Sequence, residues 1–165
     1  MSESVPPHSE SAGHASFRSF DPSHPLYPLQ LDACVEWNAD TGATSHMTPH
    51  RHWLRNYVPK RVPIKLADNN TVYSAGEGTV VFHPIVNGKQ VRPVEFSRVL
   101  HVPDLRNNLL SVLFLTRQKG FTVTIDSSKM SFQRPTGTPL FVASIGDSNA
   151  CLCSHHSTLR PRPVA

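Results

Sequence analysis

Residues 37–47 read WNADTGATSHM. A short apolar approach brings the chain to Asp40, and Thr41, Gly42 and Ala43 follow at once. The stretch is a good turn on any reading, because Gly reaches backbone conformations closed to other residues and Asp and Thr hydrogen-bond locally. It also has the makings of a carboxylate site. One aspartate near neutral pH is simply ionised. Two in contact share a proton, so that one acts as base on water and the other as acid to the carbonyl and leaving nitrogen. Such a pair titrates as a unit. Gly42 lets the chain turn tightly enough for backbone N–H groups to reach the carboxylate, and Thr41 offers a hydroxyl to brace the turn. Taken alone, Asp-Thr-Gly favours a plain turn; its surroundings decide.

Working outward, residues 31–39 predict a short strand running into this turn. Residues 62–67 alternate apolar positions and predict a strand. Asp68-Asn69-Asn70 is a turn signal, and a strand over 71–74 completes a hairpin. Gly76-Glu77-Gly78 interrupts, which suggests a bulge or a close backbone approach before a strand at 79–82. Asn87-Gly88 suits a tight turn between Ile85-Val86 and a strand at 91–96. Another strand at 99–102 ends at Pro103. The period then changes: residues 108–119 predict a helix with Leu109, Val112, Leu113 and Thr116 on one face, stopped by Lys119 and Gly120. Strands at 121–125, 130–132 and 140–143 close the pattern. The expected fold is mainly β, a small closed or partly closed barrel with one short α-helix.

The totals bound this reading. A chain of 165 residues is one domain with a modest core. The chain has fifteen prolines against eight glycines, and seven of the prolines fall in residues 1–30 and 144–165. Residues 1–30 are therefore read as a disordered Ser/Pro/His-rich tail, 31–143 as the barrel, and 144–165 as a flexible tail. The net charge of +4 is spread along the chain, apart from Lys60-Arg61 and the terminal Arg160 and Arg162. Scattered cations make a solvated surface and not a nucleic-acid face. Cys34, Cys151 and Cys153 form no disulfide framework, which predicts a reducing, cytoplasmic setting. The opening residues lack the basic start and apolar run of a secretory signal, and no stretch has the roughly 18 apolar residues of a membrane span.

Four ordered blocks carry a resemblance. Trp37 stands three before Asp40, followed by Thr41-Gly42-Ala43-Thr44 and His46-Met47-Thr48. Leu66-Ala67-Asp68-Asn69 precedes Gly76-x-Gly78. Then come Val99-Leu100-His101-Val102-Pro103 and Asn108-Leu109-Leu110-Ser111-Val112, with Lys119-Gly120 behind. Together they resemble the protease region of Ty1/copia-type retrotransposon Pol polyproteins, a branch of the retropepsin-like aspartic proteases. The resemblance implies a retropepsin-type barrel with Asp40 catalytic and Thr41 and Gly42 in support. It implies a flap from the strands around 62–82, and substrate contacts from Ala43, Asp68, Asn69, Gly76 and Gly78. It implies no cofactor and no metal. With one Asp-Thr-Gly per chain, the second carboxylate comes from a second copy, and the substrate is a Gag-Pol-type polyprotein, cut in the cytoplasm or in a virus-like particle. The chain departs from the wider pattern at Asn38, where a bulky apolar residue is common, and at Leu105-Arg106-Asn107, which lacks a glycine. With no zinc knuckle before the barrel and no integrase after it, the chain reads as an excised piece of a longer polyprotein or as a remnant that kept only the barrel. The alternative function is a non-catalytic barrel serving as a binding or structural module.

Two metal readings compete. His46, His50 and His52 cluster after the turn, but Pro49 breaks the helix that would align them. Cys151, Cys153, His155 and His156 are spaced too tightly for the usual knuckle and lie in the tail.

Overall fold

The computed structural model describes residues 10–12, 37–83, 85–86, 89–90, 92–145, 150–151, 153–154 and 157–158. In chain order the first strands are β1 (Glu10–Ala12), β2 (Trp37–Asp40) and β3 (Met47–Thr48). A single 3-10 turn, Arg51–Trp53, leads to β4 (Arg55–Pro59), β5 (Pro63–Leu66), β6 (Thr71–Tyr73) and β7 (Gly76–Phe82). Next come β8 (Ile85–Val86), β9 (Lys89–Gln90), β10 (Val94–His101) and β11 (Asn108–Ser111). Helix α1 (Val112–Lys119) follows, then β12 (Thr122–Ile125), β13 (Lys129–Gln133), β14 (Pro139–Ile145), β15 (Ala150–Cys151), β16 (Cys153–Ser154) and β17 (Ser157–Thr158). The protein is a mainly β barrel domain, with one short α-helix among the described residues.

Ten strands make the main sheet, in the order β12-β13-β14-β15-β2-β11-β3-β10-β7-β4. A second sheet has the order β1-β5-β6. Two cores form. Trp37, Trp53, Phe82, Phe96, Leu110 and Phe132 belong to one; Ala43, Met47, Ile64, Leu66, Val72 and Leu109 belong to the other. Trp37 anchors the first, edge-on to Phe82 at 5.2 Å and stacked on Trp53 at 6.3 Å. Such aromatic pairs add about 0.5–1.5 kcal/mol beyond their area.

The expected helix over 108–119 starts four residues late. Asn108–Ser111 is a strand, paired in parallel with β2 from Trp37↔Asn108 to Asp40↔Ser111. Leu109 enters one core and Leu110 the other, which the two-sided pleat of a strand allows and a single helix face does not. Ser111 then caps α1, its side chain accepting from the Phe114 N–H at 3.0 Å. Gly120 ends the helix in the left-handed region at φ 69°.

Other expectations shift too. The predicted strands at 91–96 and 99–102 are one strand, β10, with a register shift between Phe96 and Val99 and Arg98 at φ 58°. That geometry is a bulge, which carries the ladder across an irregularity. Gly76 and Gly78 do not interrupt β7; they let it approach β4. A Cβ on Gly76 would lie 2.1 Å from the Tyr57 ring, and one on Gly78 would lie 2.7 Å from the Arg55 carbonyl oxygen. The segment read as an N-terminal tail contributes β1, and the segment after 144 contributes β15, β16 and β17. The predicted Asn87-Gly88 turn, residues 31–36 of the first predicted strand, Cys34, and His155 and His156 lie outside the described residues. Among the described residues, no helix is long and apolar enough to cross a membrane.

Candidate active site

Strand β2 delivers Asp40 between Ala39, packed on the first core, and Ala43, buried in the second. Asp40 is only 4% exposed, and the next two, Thr41 and Gly42, are exposed. The Gly42 N–H donates to Asp40 Oδ1 at 2.7 Å, the tight turn that the glycine permits. Thr41 does not brace the turn. Among the described residues its hydroxyl has no partner within the chain, and the brace comes from Ser111 instead. Ser111 Oγ donates to the Ala43 carbonyl at 2.6 Å while accepting from Phe114, so one fully buried hydroxyl ties the turn to the start of α1.

The far limb of the turn is pinned by His46. The Ser111 N–H donates to His46 Nδ1 at 2.9 Å, which places the ring proton on Nε2. The ring sits 5.2 Å from Phe96 and 5.0 Å from Phe114. Burial, seconded by the charge of Lys119, lowers the His46 pKa to about 3, so the ring is neutral. Thr48 Oγ1 donates to Asn108 Oδ1 at 2.7 Å and accepts from the His50 N–H at 3.1 Å, fastening β3. His46 thus points into the core while His50 lies on Trp53 at 3.9 Å, and the three histidines do not converge. Among the described residues no three His, Cys, Asp or Glu side chains gather as a metal site.

A hairpin of β5 and β6 packs on the same core as the turn: Ile64, Leu66 and Val72 share it with Ala43. Asp68 and Asn69 form its exposed tip. Asp68 accepts from the Asn70 N–H at 2.9 Å and from the Asn70 side chain at 2.7 Å, and Asn69 takes φ 68°. These are the local bonds of a turn. The hairpin base is fixed by Ser74, which accepts from the Val62 N–H at 2.9 Å and donates to the Lys60 carbonyl at 2.6 Å.

The structure therefore brings together Asp40, Thr41, Gly42 and Ala43, with Asp68 and Asn69 on a hairpin sharing their core. Gly76 and Gly78 belong elsewhere, in β7 against β4, where packing accounts for them. Behind them Tyr57 Oη is 2.9 Å from His101 Nδ1, and the Arg51 guanidinium lies 3.6 Å from the Tyr57 ring centre. Burial, and then the Arg51 charge, lowers the His101 pKa to about 4 against a bond to the Pro49 carbonyl that raises it. Burial raises the Tyr57 pKa, opposed by Arg51. Sequence reasoning missed Ser111 and Ser74 as supports. A serine just ahead of a helical run is a cap signature, which a helix begun at Asn108 hides.

A two-core β-barrel carrying an Asp-Thr-Gly turn braced from the neighbouring parallel strand defines the class. The chain belongs to the Pol polyprotein beta-barrel domain family, whose profile matches residues 37–121, more than half of the chain. It is 27% identical over 147 residues to the retrovirus-related Pol polyprotein from transposon RE1 of Arabidopsis thaliana. That alignment covers 81% of this chain and 10% of the relative, so the chain spans about a tenth of the curated protein it matches. The retrotransposon Pol origin expected from the four blocks is thus established. No solved structure matches the chain.

Proposed function

We propose that this domain is one half of an aspartic endopeptidase, completed by a second copy and acting on a Gag-Pol-type polyprotein. The observation that carries the reading is the placement of Asp40. Its carboxylate is held by a backbone donor beneath an exposed Thr41-Gly42 tip, on a turn anchored from two directions by Ser111. Two such tips meeting on a two-fold axis bring two Asp40 carboxylates into contact. One is then ionised and the other protonated. The ionised one takes a proton from water as the water oxygen attacks the peptide carbonyl. The protonated one gives its proton to the carbonyl oxygen. The tetrahedral intermediate collapses with a proton passing to the leaving nitrogen, which breaks the C–N bond. Gly42 holds each carboxylate with Thr41 beside it at the exposed tip, Ala43 and the β5–β6 hairpin line the cleft, and Asp68 and Asn69 shape the hairpin tip as a flap. No cofactor is required. In the cytoplasm or inside a particle, crowding of copies would favour the dimer by mass action.

The test is cleavage of a mixed peptide library at about pH 5.5, where a shared-proton pair is competent, by the full chain and by Asp40→Asn across protein concentration. Cleavage rising more steeply than the first power of concentration, and absent from the variant, supports the proposal. A chain that stays strictly monomeric and cuts nothing favours the non-catalytic barrel instead.

A further inference from the structure

Strand β1 lies where an extended peptide would lie. We infer that the channel between the Asp-Thr-Gly turn and β5 is a strand-accepting peptide site, and that the chain's own Glu10–Ala12 fills it in competition with outside peptides. That outside peptides held there are also cut rests on the proposed function; the contacts stand without it. Along one edge β1 pairs in parallel with β5, Glu10↔Ile64 through Ala12↔Leu66. Along the other it bonds to the turn. The Ser11 N–H donates to Thr44 Oγ1 at 3.0 Å, the Thr44 N–H donates to the Ser11 carbonyl at 3.2 Å, and Ser11 Oγ donates to the Gly42 carbonyl at 3.2 Å. Gly42 is the residue whose own N–H holds Asp40. A three-residue segment bonded on both edges, two residues from the carboxylate, is strand addition carried out within one chain.

Two side chains of the segment give the site a preference. The Glu10 carboxylate accepts from the hydroxyls of Thr44 and of Ser45, the latter at 2.8 Å. Ala12 is 1% exposed and packed in the core that holds Ala43, Ile64, Leu66 and Val72. The occupant favoured is therefore an extended peptide with an acidic residue two before a small apolar one. A large side chain in place of Ala12 meets a filled core. Nothing in Glu-Ser-Ala has strand propensity of its own, so the order of β1 comes from the channel. Being part of the same chain, the segment is always at hand, and an outside peptide must compete with it.

The experiment uses the full chain, its Glu10→Lys/Ala12→Asp variant, and a fluorescein-labelled peptide of residues 7–15, PHSESAGHA. The variant is expected to bind the peptide at least about tenfold more tightly than the unaltered chain does, because its channel is vacated. The same peptide with Lys for Glu and Asp for Ala should not bind. Amide exchange supplies the second readout: the Thr44 amide is protected in the unaltered chain, loses protection in the variant, and regains it with peptide. If the double variant does not fold, Glu10→Ala with the same exchange measurement takes its place. Equal peptide binding by both chains, or a Thr44 amide protected in both, overturns the inference. Peptide binding without cleavage by any form would sink the protease reading and leave the channel intact. Cleavage at equal rates with and without the β1 changes would do the reverse.

Discussion

Replacing Ser111 with alanine removes one oxygen that holds two parts of the site together. Ser111 Oγ donates to the Ala43 carbonyl at 2.6 Å and accepts from the Phe114 N–H at 3.0 Å, and the residue is fully buried. Losing a helix cap costs about 0.5–2 kcal/mol. Leaving a buried carbonyl without its donor costs roughly 1–3 kcal/mol more. The two losses share one atom and occur at different partners, so Ser111→Ala should destabilise the fold by about 2–4 kcal/mol. That is a large part of the stability of a small domain. Urea unfolding followed by circular dichroism gives the midpoint and the slope; the midpoint should fall with the slope unchanged. Ser111→Thr keeps the hydroxyl and should recover most of the loss. Thr116→Ala removes a side-chain bond to the Leu113 carbonyl within the same helix, and should change stability by less than about 0.5 kcal/mol. A Ser111→Ala loss no larger than that of Thr116→Ala would refute the claim that Ser111 ties turn to helix.

Gly78→Ala should cost about 1–3 kcal/mol, since its Cβ meets the Arg55 backbone. Gly76→Ala should also displace the Tyr57 ring from His101, visible as a changed tyrosine absorbance titration. Stability should fall in acid. Both His46 and His101 have folded pKa values below the ordinary 6.5, about 3 and about 4. The unfolded chain therefore binds more protons, the stabilisation is complete above pH 6.5, and it is lost as pH falls toward the folded values. The slope is at most about 1.4 kcal/mol per pH unit for each histidine. Urea midpoints from pH 7.5 to 4.5 should show it, and His46→Gln should flatten the curve even as it lowers the plateau; a pH-independent midpoint would contradict the buried neutral rings. Ser74→Ala, which frees the hairpin base, should speed amide exchange through β5 and β6 while leaving β13 and β14 unchanged.

Much of this fold is legible because its local signals agree with its tertiary ones. The Pro63–Leu66 alternation and the Asp68-Asn69-Asn70 turn name a hairpin before any packing is known, and the Asp-Thr-Gly turn is written in its composition. Asn108–Ser111 fails for a definite reason: a short apolar run fits a helix or a buried strand equally well, and the parallel pairing with β2 decides. Met47–Thr48, the 3-10 turn and β4 pass unread because histidines, prolines and arginines blur the pattern there. Glu10–Ala12 could not be read at all, because its order is imposed by Thr44, Gly42 and β5. For the site, the carboxylate is legible and its supports are not. Ser111 and His46 act through contacts that span 65 and 68 residues, Ser74 through contacts that span 12 and 14, and Gly76 and Gly78 look like site glycines while answering to Tyr57 and Arg55.

The most direct measurement on the shared carboxylate pair is a mixing experiment. The full chain and Asp40→Asn are combined at fixed total concentration, well above that at which dimers form, and peptide cleavage is followed. If each active site takes one Asp40 from each copy, random pairing at equal amounts leaves about a quarter of the dimers active. The rate should fall to about a quarter of that of the unmixed chain. A rate that falls only to half, in proportion to the intact chain present, would mean that each copy works alone and would contradict the dyad.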